Sequence, residues 1–205
     1  MHYIALAPKE KYFKPVEMIK ILLVADANVN AQTENKITPL MLAIHGLEEN
    51  IISSDYDDYY KNNIKIIALL GFILECGANP NISDENGVTL LMQCVSLDNY
   101  YKYDGNIILA MKLLINHGAD VNTRDNNGNT PLMYVAKVND KYHADVIKNL
   151  LASGVAPSMK NNDGESVIEI LLNTFWGDSD NDNDDENILQ RASLHFSPED
   201  FIIND

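Results

Sequence analysis

Apolar residues in this chain recur in short groups, and each group is followed at a fixed distance by the same polar sequence. A pair of large aliphatic residues precedes a glycine or aspartate by three positions, and an asparagine or serine follows four positions later. The pairs are Leu22–Leu23, Ile73–Leu74, Leu114–Ile115 and Leu150–Leu151. Because glycine ends a helix in the left-handed conformation at low cost, the pattern predicts that four helices end at these points. The predicted ends are Asp26, Gly77, Gly118 and Gly154. Asp26 tolerates this conformation less well than glycine, so we expect strain or a different cap there.

A second pattern begins eight residues after each of those asparagine or serine residues and predicts the start of the next helix. Thr or Ser comes first, where its side-chain oxygen can cap a helix, and in two copies a proline follows at a position that needs no amide donor. The predicted caps are Thr38, Thr89, Thr130 and Ser166. Asn86–Gly87, Asn127–Gly128 and Asp163–Gly164 are turn sequences between the two patterns, and Asn35–Lys36 is a weaker version. The chain is therefore predicted to alternate helices with finger-like turns.

Together the two patterns resemble the ankyrin repeat, whose consensus is roughly G-A-D-V-N-A-x-D-x-x-G-x-T-P-L-H-x-A. The copy from Gly118 to Ala136 follows this consensus most fully. The resemblance covers nearly the whole chain and implies an all-α solenoid of about five helix pairs with short finger turns, forming one domain. The expected repeats are 1–37, which is incomplete, 38–88, 89–129, 130–165 and 166–205, which is a degenerate cap.

The helix starts are farther apart than the family period of about 33 residues, and the extra chain is rich in tyrosine and aspartate. The distances from Thr38 to Thr89, Thr89 to Thr130 and Thr130 to Ser166 are 51, 41 and 36 residues. Because the fingers keep a constant length, we expect the excess to lie within or between the two helices of each pair, with enlarged loops at the helix ends opposite the fingers. Seven of the ten tyrosines lie there, which fits either a protein-binding surface or packing against the helices. The candidate partner-binding residues are Asp55, Tyr56, Asp57, Asp58, Tyr59 and Tyr60 in the first insertion, and Tyr100, Tyr101 and Tyr103 in the second.

The resemblance also implies a concave binding surface made from the fingers and the first helix of each pair. The positions that match the contact positions of the family are Gln32, Glu34, Asn35, Ile37, Ser83, Glu85, Val88, Arg124, Asn126, Asn129, Lys160, Asn162 and Glu165. They differ from repeat to repeat, as recognition of a specific partner requires. The family commonly has a histidine after Thr-Pro-Leu that helps to tie neighbouring loops together. Met41, Met92 and Met133 replace it here, and we expect them to fill the core instead.

Charge narrows the kind of partner. With 15 Lys and Arg against 30 Asp and Glu, the net charge of −15 would repel a phosphate backbone, so nucleic-acid binding is not expected. The acidity fits solubility, or a protein partner with a basic surface. No apolar run of membrane-spanning length and no secretion signal occur, so we expect the protein to be cytoplasmic, or to act in a host-cell cytosol if it is a translocated effector or viral protein. On its own it is expected to be a monomer. Cys76 and Cys94 are expected to be reduced core residues.

No constellation of residues indicates catalysis, so we expect no catalytic residue, no cofactor and no metal. The five histidines are scattered, no Cys-x-x-Cys pair occurs, and nucleophile and phosphate-binding motifs are missing. The alternating aspartates from Asp178 to Asp184 lack the glycine and closing glutamate of a calcium loop. The leading hypothesis is therefore a non-enzymatic protein-binding module, in particular an acidic inhibitor or immunity-type protein that neutralises a basic enzyme or toxin. A host-directed effector or viral adaptor, and a plain assembly scaffold, remain open.

Overall fold

The described part of the chain is helical, with short turns between the helices. The computed structural model describes residue 21 and residues 25–43, 56–96, 106–138 and 143–176. Its helices are α1 (39–43), α2 (Tyr56–Glu75), α3 (Leu90–Val95), α4 (Asn106–Asn116), α5 (Pro131–Lys137), α6 (His143–Ala152) and α7 (Val167–Trp176). Two isolated bridges, Ser83 with Thr89 and Lys160 with Ser166, close two of the turns. No strand occurs in these ranges, and none of their helices is long and apolar enough to cross a membrane. The predicted all-α repeat architecture is confirmed.

Three of the four predicted helix caps are formed. The hydroxyl oxygens of Thr38, Thr130 and Ser166 accept hydrogen bonds from the backbone N–H three residues later, at 3.2, 3.4 and 3.4 Å. At Ser166 the cap is reciprocal, because Glu169 Oε2 accepts the Ser166 N–H in return. Thr89 occupies the N-cap position of α3 with an extended backbone (φ −85°, ψ 163°), but its Oγ1 is buried without a hydrogen-bond partner in the described residues. There the Thr89 N–H donates to the sulfur of Met92 at 3.5 Å.

The predicted helix ends are confirmed. Gly77, Gly118 and Gly154 have φ of 88°, 87° and 85°. Around Gly118 the chain closes with a pair of hydrogen bonds, Ala119 N to Leu114 O and Gly118 N to Ile115 O, both 3.0 Å, which form a Schellman motif. Asp26 adopts the same left-handed conformation, with φ of 56°, and its side chain makes that conformation less favourable than it is for glycine.

The chain divides into two compact units, Met1–Asp120 and Val121–Asp205, and the boundary falls inside the expected repeat 89–129. The expectation of a single domain therefore remains a prediction. In the first unit α4 packs against α2 and α3. The contact between α2 and α4 is close, because a Cβ at Gly71 of α2 would lie 3.3 Å from a methyl carbon of Leu113 of α4. In the second unit α5 packs against α6 and α7.

The three methionines that replace the family histidine are buried in the core, as predicted. Met41, Met92 and Met133 are at most 1 % exposed. Cys94 is also a buried free thiol, and burial raises its pKa to about 12. Cys76, in contrast, is only half-buried in the turn after α2, so the expectation that both cysteines lie in the core was wrong for this residue.

The first insertion does not form a loop along its whole length. The backbone is helical from Tyr56, so residues 56–62 extend α2 at its start and this part of the extra chain lies within a helix. No glycine or proline interrupts the chain from Tyr56 to Leu70, and Asp57 and Asp58 lie in the first turn, where negative charge favours a helix. Residues 46–55, 98–105 and 139–142 of the insertions lie outside the described residues, as do the chain up to residue 20 and residues 177–205.

Candidate binding surface

Four turns, here called fingers 1 to 4 (33–37, 84–88, 125–129 and 161–165), share one hydrogen-bonded ring. The first residue of each finger accepts, through a side-chain oxygen, the backbone N–H four residues later. These bonds join Thr33 to Ile37 (3.1 Å), Asp84 to Val88 (2.9 Å), Asp125 to Asn129 (2.7 Å) and Asn161 to Glu165 (2.8 Å). The backbone N–H of the same first residue donates to the carbonyl at the far end, at 2.9–3.0 Å. The ring fixes the path of each finger independently of the residues at its tip.

The fourth residue of each ring has a positive φ. Gly87, Gly128 and Gly164 occupy it with φ of 78°, 77° and 80°. Lys36 occupies it in finger 1 with φ of 61°, as the weaker turn sequence there suggested. Finger 1 is therefore strained, since a left-handed lysine costs energy that a glycine does not.

Two residues at the tip of every finger are exposed. They are Glu34 and Asn35, Glu85 and Asn86, Asn126 and Asn127, and Asn162 and Asp163. Five of these eight, namely Glu34, Asn35, Glu85, Asn126 and Asn162, are predicted contact residues. The tip is Glu–Asn in fingers 1 and 2, Asn–Asn in finger 3 and Asn–Asp in finger 4, while the ring beneath it is the same in all four.

The predicted contact residues just before each ring partly hold the fingers in place. Gln32 Nε2 donates to Lys36 O at 3.1 Å, and Arg124 Nε donates to Gly128 O at 3.2 Å. Arg124 also reaches finger 4, because its Nη2 donates to Lys160 O at 2.9 Å and lies 3.5 Å from Asn162 Oδ1. Ser83 is half-buried and Lys160 is exposed. The side chains of Gln32 and Arg124 thus already hold the fingers and are not fully available to a partner.

Asn129 is not a surface residue, which corrects its prediction as a contact. Its side chain is 4 % exposed, and its Oδ1 accepts hydrogen bonds from Lys137 Nζ at 3.0 Å and from Asn161 Nδ2 at 3.3 Å. It was predicted as a contact because it matches a contact position of the ankyrin family. The ring turns it inward instead, towards α5.

Asn129 belongs to a polar cluster in the second unit that we call the Asp125 cluster (Asp125, Asn129, Tyr134, Lys137 and Asn161). Asp125 Oδ2 accepts from the Tyr134 hydroxyl at 2.9 Å and from Asn129 Nδ2 at 3.1 Å. Burial raises the pKa of Asp125, but the hydrogen bonds donated by Asn129, Tyr134 and Asn127 outweigh it and hold the pKa below its ordinary value. The cluster therefore favours a charged Asp125 and joins fingers 3 and 4 to α5.

Bridging asparagines tie neighbouring loops together, and this role was not identified from the sequence. In the first unit, Asn30 bonds Gly77 O (3.3 Å) and Asn79 N (2.7 Å), and Asn81 bonds Gly118 O and Asp120 N (both 2.8 Å). In the second unit, Asn122 bonds Gly154 O (3.1 Å) and Ala156 N (2.8 Å). The signal was present, because an asparagine recurs four residues after three of the four predicted helix ends. An amide carries both a donor and an acceptor, so one side chain satisfies two backbone groups.

A family model for ankyrin repeats, in three copies, matches residues 59–161, which is half of the chain. The chain belongs to the ankyrin-repeat family. A search of curated proteins found no match to it. Ankyrin repeats are generally protein–protein interaction modules and are typically not enzymes. The rings described above are thus the fingers of ankyrin repeats, and the bridging asparagines join successive repeats within each unit.

The structure describes only some of the Tyr and Asp residues that were predicted as partner contacts in the insertions of this ankyrin-repeat protein. Residues 56–60, which include Tyr56, Tyr59 and Tyr60, lie in the first turns of α2. Asp55, Tyr100, Tyr101 and Tyr103 lie outside the described residues. Within the described ranges no group of three or more His, Cys, Asp or Glu residues is arranged to hold a metal ion.

Proposed function

We propose that this ankyrin-repeat protein is a non-enzymatic binding module whose partner presents a basic surface to the fingers. One observation supports the proposal: four fingers share the same hydrogen-bonded ring, while their exposed tips take three forms, Glu–Asn in fingers 1 and 2, Asn–Asn in finger 3 and Asn–Asp in finger 4. A constant frame reduces the conformational entropy lost on binding, and variable tips provide specificity.

Charge supports the choice of a basic partner. The exposed tips include Glu34, Glu85 and Asp163, and the whole chain carries a net charge of −15. Charge of one sign steers a partner of the opposite sign and raises the rate of association. An enzyme that acts on nucleic acid has a positive cleft. Inhibition of such an enzyme, as by an immunity-type protein, is the role we propose for the acidic surface.

The test begins with capture of a partner by the immobilised full chain, followed by binding kinetics over a salt series. Glu34→Lys with Glu85→Lys should slow association about tenfold at low salt and weaken its salt dependence, because both acids lie at exposed tips. Glu75→Lys is the matched control, since Glu75 is exposed at the end of α2 and belongs to none of the fingers. Association that is equally insensitive to all three substitutions, or a partner without a basic surface, would reject the proposal.

The Tyr–Asp insertions are proposed as a second candidate surface, which binds the partner instead of the fingers or together with them. If their acids steer the partner and their tyrosines anchor it, then Asp55, Asp57 and Asp58 changed to Lys should mainly slow association. Tyr59→Ala and Tyr101→Ala should mainly speed dissociation, because aromatic anchors act on complex lifetime. Unchanged dissociation in both tyrosine variants would leave the fingers as the binding surface.

A further inference from the structure

Fingers 3 and 4 lie side by side in the second unit, and both backbone and side-chain hydrogen bonds join them. One bond links the two backbones, because Asn127 O accepts the Asn162 N–H at 2.9 Å. Gly128 is buried at this point, and a Cβ added to it would lie 2.9 Å from Asn162 N. The two turns are therefore closely packed as well as hydrogen-bonded.

Two side chains extend this connection. Arg124 stands just before finger 3, where its Nε donates to Gly128 O at 3.2 Å, and its Nη2 donates across to Lys160 O, just before finger 4, at 2.9 Å. Asn162, at the tip of finger 4, bonds in the opposite direction, because its Nδ2 donates to Asn126 O at 3.0 Å. The acceptors are backbone carbonyls, so these bonds fix the path of the chain in both turns.

A buried contact beneath the tips joins the same two fingers. Asn161, the first residue of finger 4, is 6 % exposed, and its Nδ2 donates to Asn129 Oδ1 at 3.3 Å and to Glu165 Oε2 at 3.0 Å. Asn129 is bonded in turn to Asp125, the first residue of finger 3. A continuous chain of hydrogen bonds therefore runs from the ring of finger 3 to the ring of finger 4.

We propose that fingers 3 and 4 form one recognition element that opens and closes as a unit, and that Arg124 and Asn162 are the positioning residues that hold it together. Opening of either finger breaks its own ring and also the bonds between the two fingers. Once those shared bonds are broken, opening of the second finger breaks only its own ring. The two openings are therefore cooperative, as in a local unfolding unit.

The exposed tips of this element meet a partner as a single surface. They consist of Asn126, Asn127, Asn162 and Asp163. Because their relative positions are fixed before binding, little conformational entropy is lost when a partner contacts both tips. Asp163 offers a carboxylate to a basic side chain, and Asn127 beside it offers an amide that both donates and accepts. This consequence rests on the function proposed above, whereas the cooperative opening requires no partner.

The test is amide hydrogen exchange, measured by NMR on the full chain without a partner, so its outcome is independent of partner capture. The Asn129 N–H reports on finger 3 and the Glu165 N–H on finger 4, since each donates to the first residue of its own ring. Gly164→Ala strains finger 4 alone, because Gly164 has φ of 80° and no described atom lies within 4 Å of the added Cβ. This strain should speed exchange at Glu165 about fivefold, which corresponds to about 1 kcal/mol. If the fingers open together, exchange at Asn129 should rise by about the same factor.

Gly154→Ala is the matched control. Gly154 lies just after α6 in the same unit, with φ of 85° and no described atom within 4 Å of an added Cβ, so the substitution introduces the same strain outside the fingers. Exchange at Asn129 and Glu165 should stay almost unchanged. If Gly154→Ala sped exchange at Asn129 as much as Gly164→Ala does, finger 3 would open only when the whole unit unfolds, which would overturn the proposal.

Removal of the two positioning side chains tests the cause of the coupling. In a chain with Arg124→Ala and Asn162→Ala, Gly164→Ala should still speed exchange at Glu165, but its effect at Asn129 should shrink towards no change. Lys148→Ala removes an exposed cation from α6 and should leave the coupling intact. A Gly164→Ala effect confined to Glu165 in the otherwise wild-type chain would refute the joint opening. Full coupling without the two side chains would refute their positioning role.

Discussion

Replacement of Asp125 by Asn tests whether the Asp125 cluster needs a carboxylate. Asp125 Oδ1 serves two backbone donors, Asn127 N at 2.9 Å and Asn129 N at 2.7 Å, which an amide oxygen can also do. Asn161 shows this in finger 4, where its Oδ1 accepts from two backbone N–H groups. Oδ2 of Asp125 is different, because it accepts from the Tyr134 hydroxyl and from Asn129 Nδ2. An NH₂ group in its place would face another NH₂ group.

The magnitude follows from this mismatch. Asn129 is buried, so its Nδ2 would lose the 3.1 Å bond to Oδ2 without gaining water and would keep only the longer one to Oδ1, at 3.4 Å; we expect a cost of about 1–3 kcal/mol. Asp84→Asn is the matched control, since in finger 2 the bonds described for this residue's side chain use only Oδ1, which accepts Asn86 N and Val88 N at 2.9 Å. It is half-buried, and we expect it to lose less than about 0.5 kcal/mol.

Urea denaturation followed by circular dichroism measures both variants, and the comparison holds if the dependence on urea is unchanged. The sign of the pH effect is also fixed. Because the pKa of Asp125 is lowered in the folded chain, its stabilisation is present above the unfolded value of about 3.9 and is lost as pH falls through the lower folded value. The difference between wild type and Asp125→Asn should therefore shrink below about pH 4. Equal costs for the two variants at neutral pH would refute this reasoning.

Three further predictions concern backbone conformation and the bridging asparagines, and urea denaturation checks each one. Lys36→Gly should stabilise the chain by about 0.5–1 kcal/mol, and Asp26→Gly by less, because aspartate tolerates positive φ better than lysine; destabilisation by Lys36→Gly would contradict this. Gly118→Ala should cost about 1 kcal/mol for its φ of 87° alone, since no atom lies within 4 Å of the added Cβ, whereas Gly128→Ala should cost more because its Cβ meets Arg124 and Asn162 atoms. If Gly118→Ala cost more stability than Gly128→Ala, the residues of the fingers would be shifting to accommodate the added Cβ. Asn122→Ala should cost about 1–2 kcal/mol through two lost hydrogen bonds, and no loss would show that water replaces them.

The helix boundaries were predictable because they depend on local chemistry. Gly77 and Gly118 take positive φ where the apolar pattern ends, and Thr38 and Thr130 cap where it resumes. The reciprocal cap at Ser166 and Glu169 also had a sequence signal, the Ser-x-x-Glu spacing, which the degenerate repeat obscured.

Thr89 shows the limit of such local reasoning. Its spacing matches the other caps, yet Met92 Sδ takes the backbone N–H and the hydroxyl is left buried. Which of these contacts forms depends on how the methionine side chain packs in the core. Neighbouring residues along the chain do not determine that packing.

The sequence by itself determined the family, the repeat period, and the places where helices start, stop and turn, because each depends on residues a few positions apart. Only the tertiary structure decided which polar residues of the fingers remain exposed. Asn129 matches a contact position in sequence but is buried, and Arg124 lies at the surface but donates to finger 4. Arg124 donates to Lys160, 36 residues farther along the chain, and Asn129 accepts from Asn161, 32 residues away, as well as from Lys137 of α5. A local sequence pattern carries no information about such distant partners.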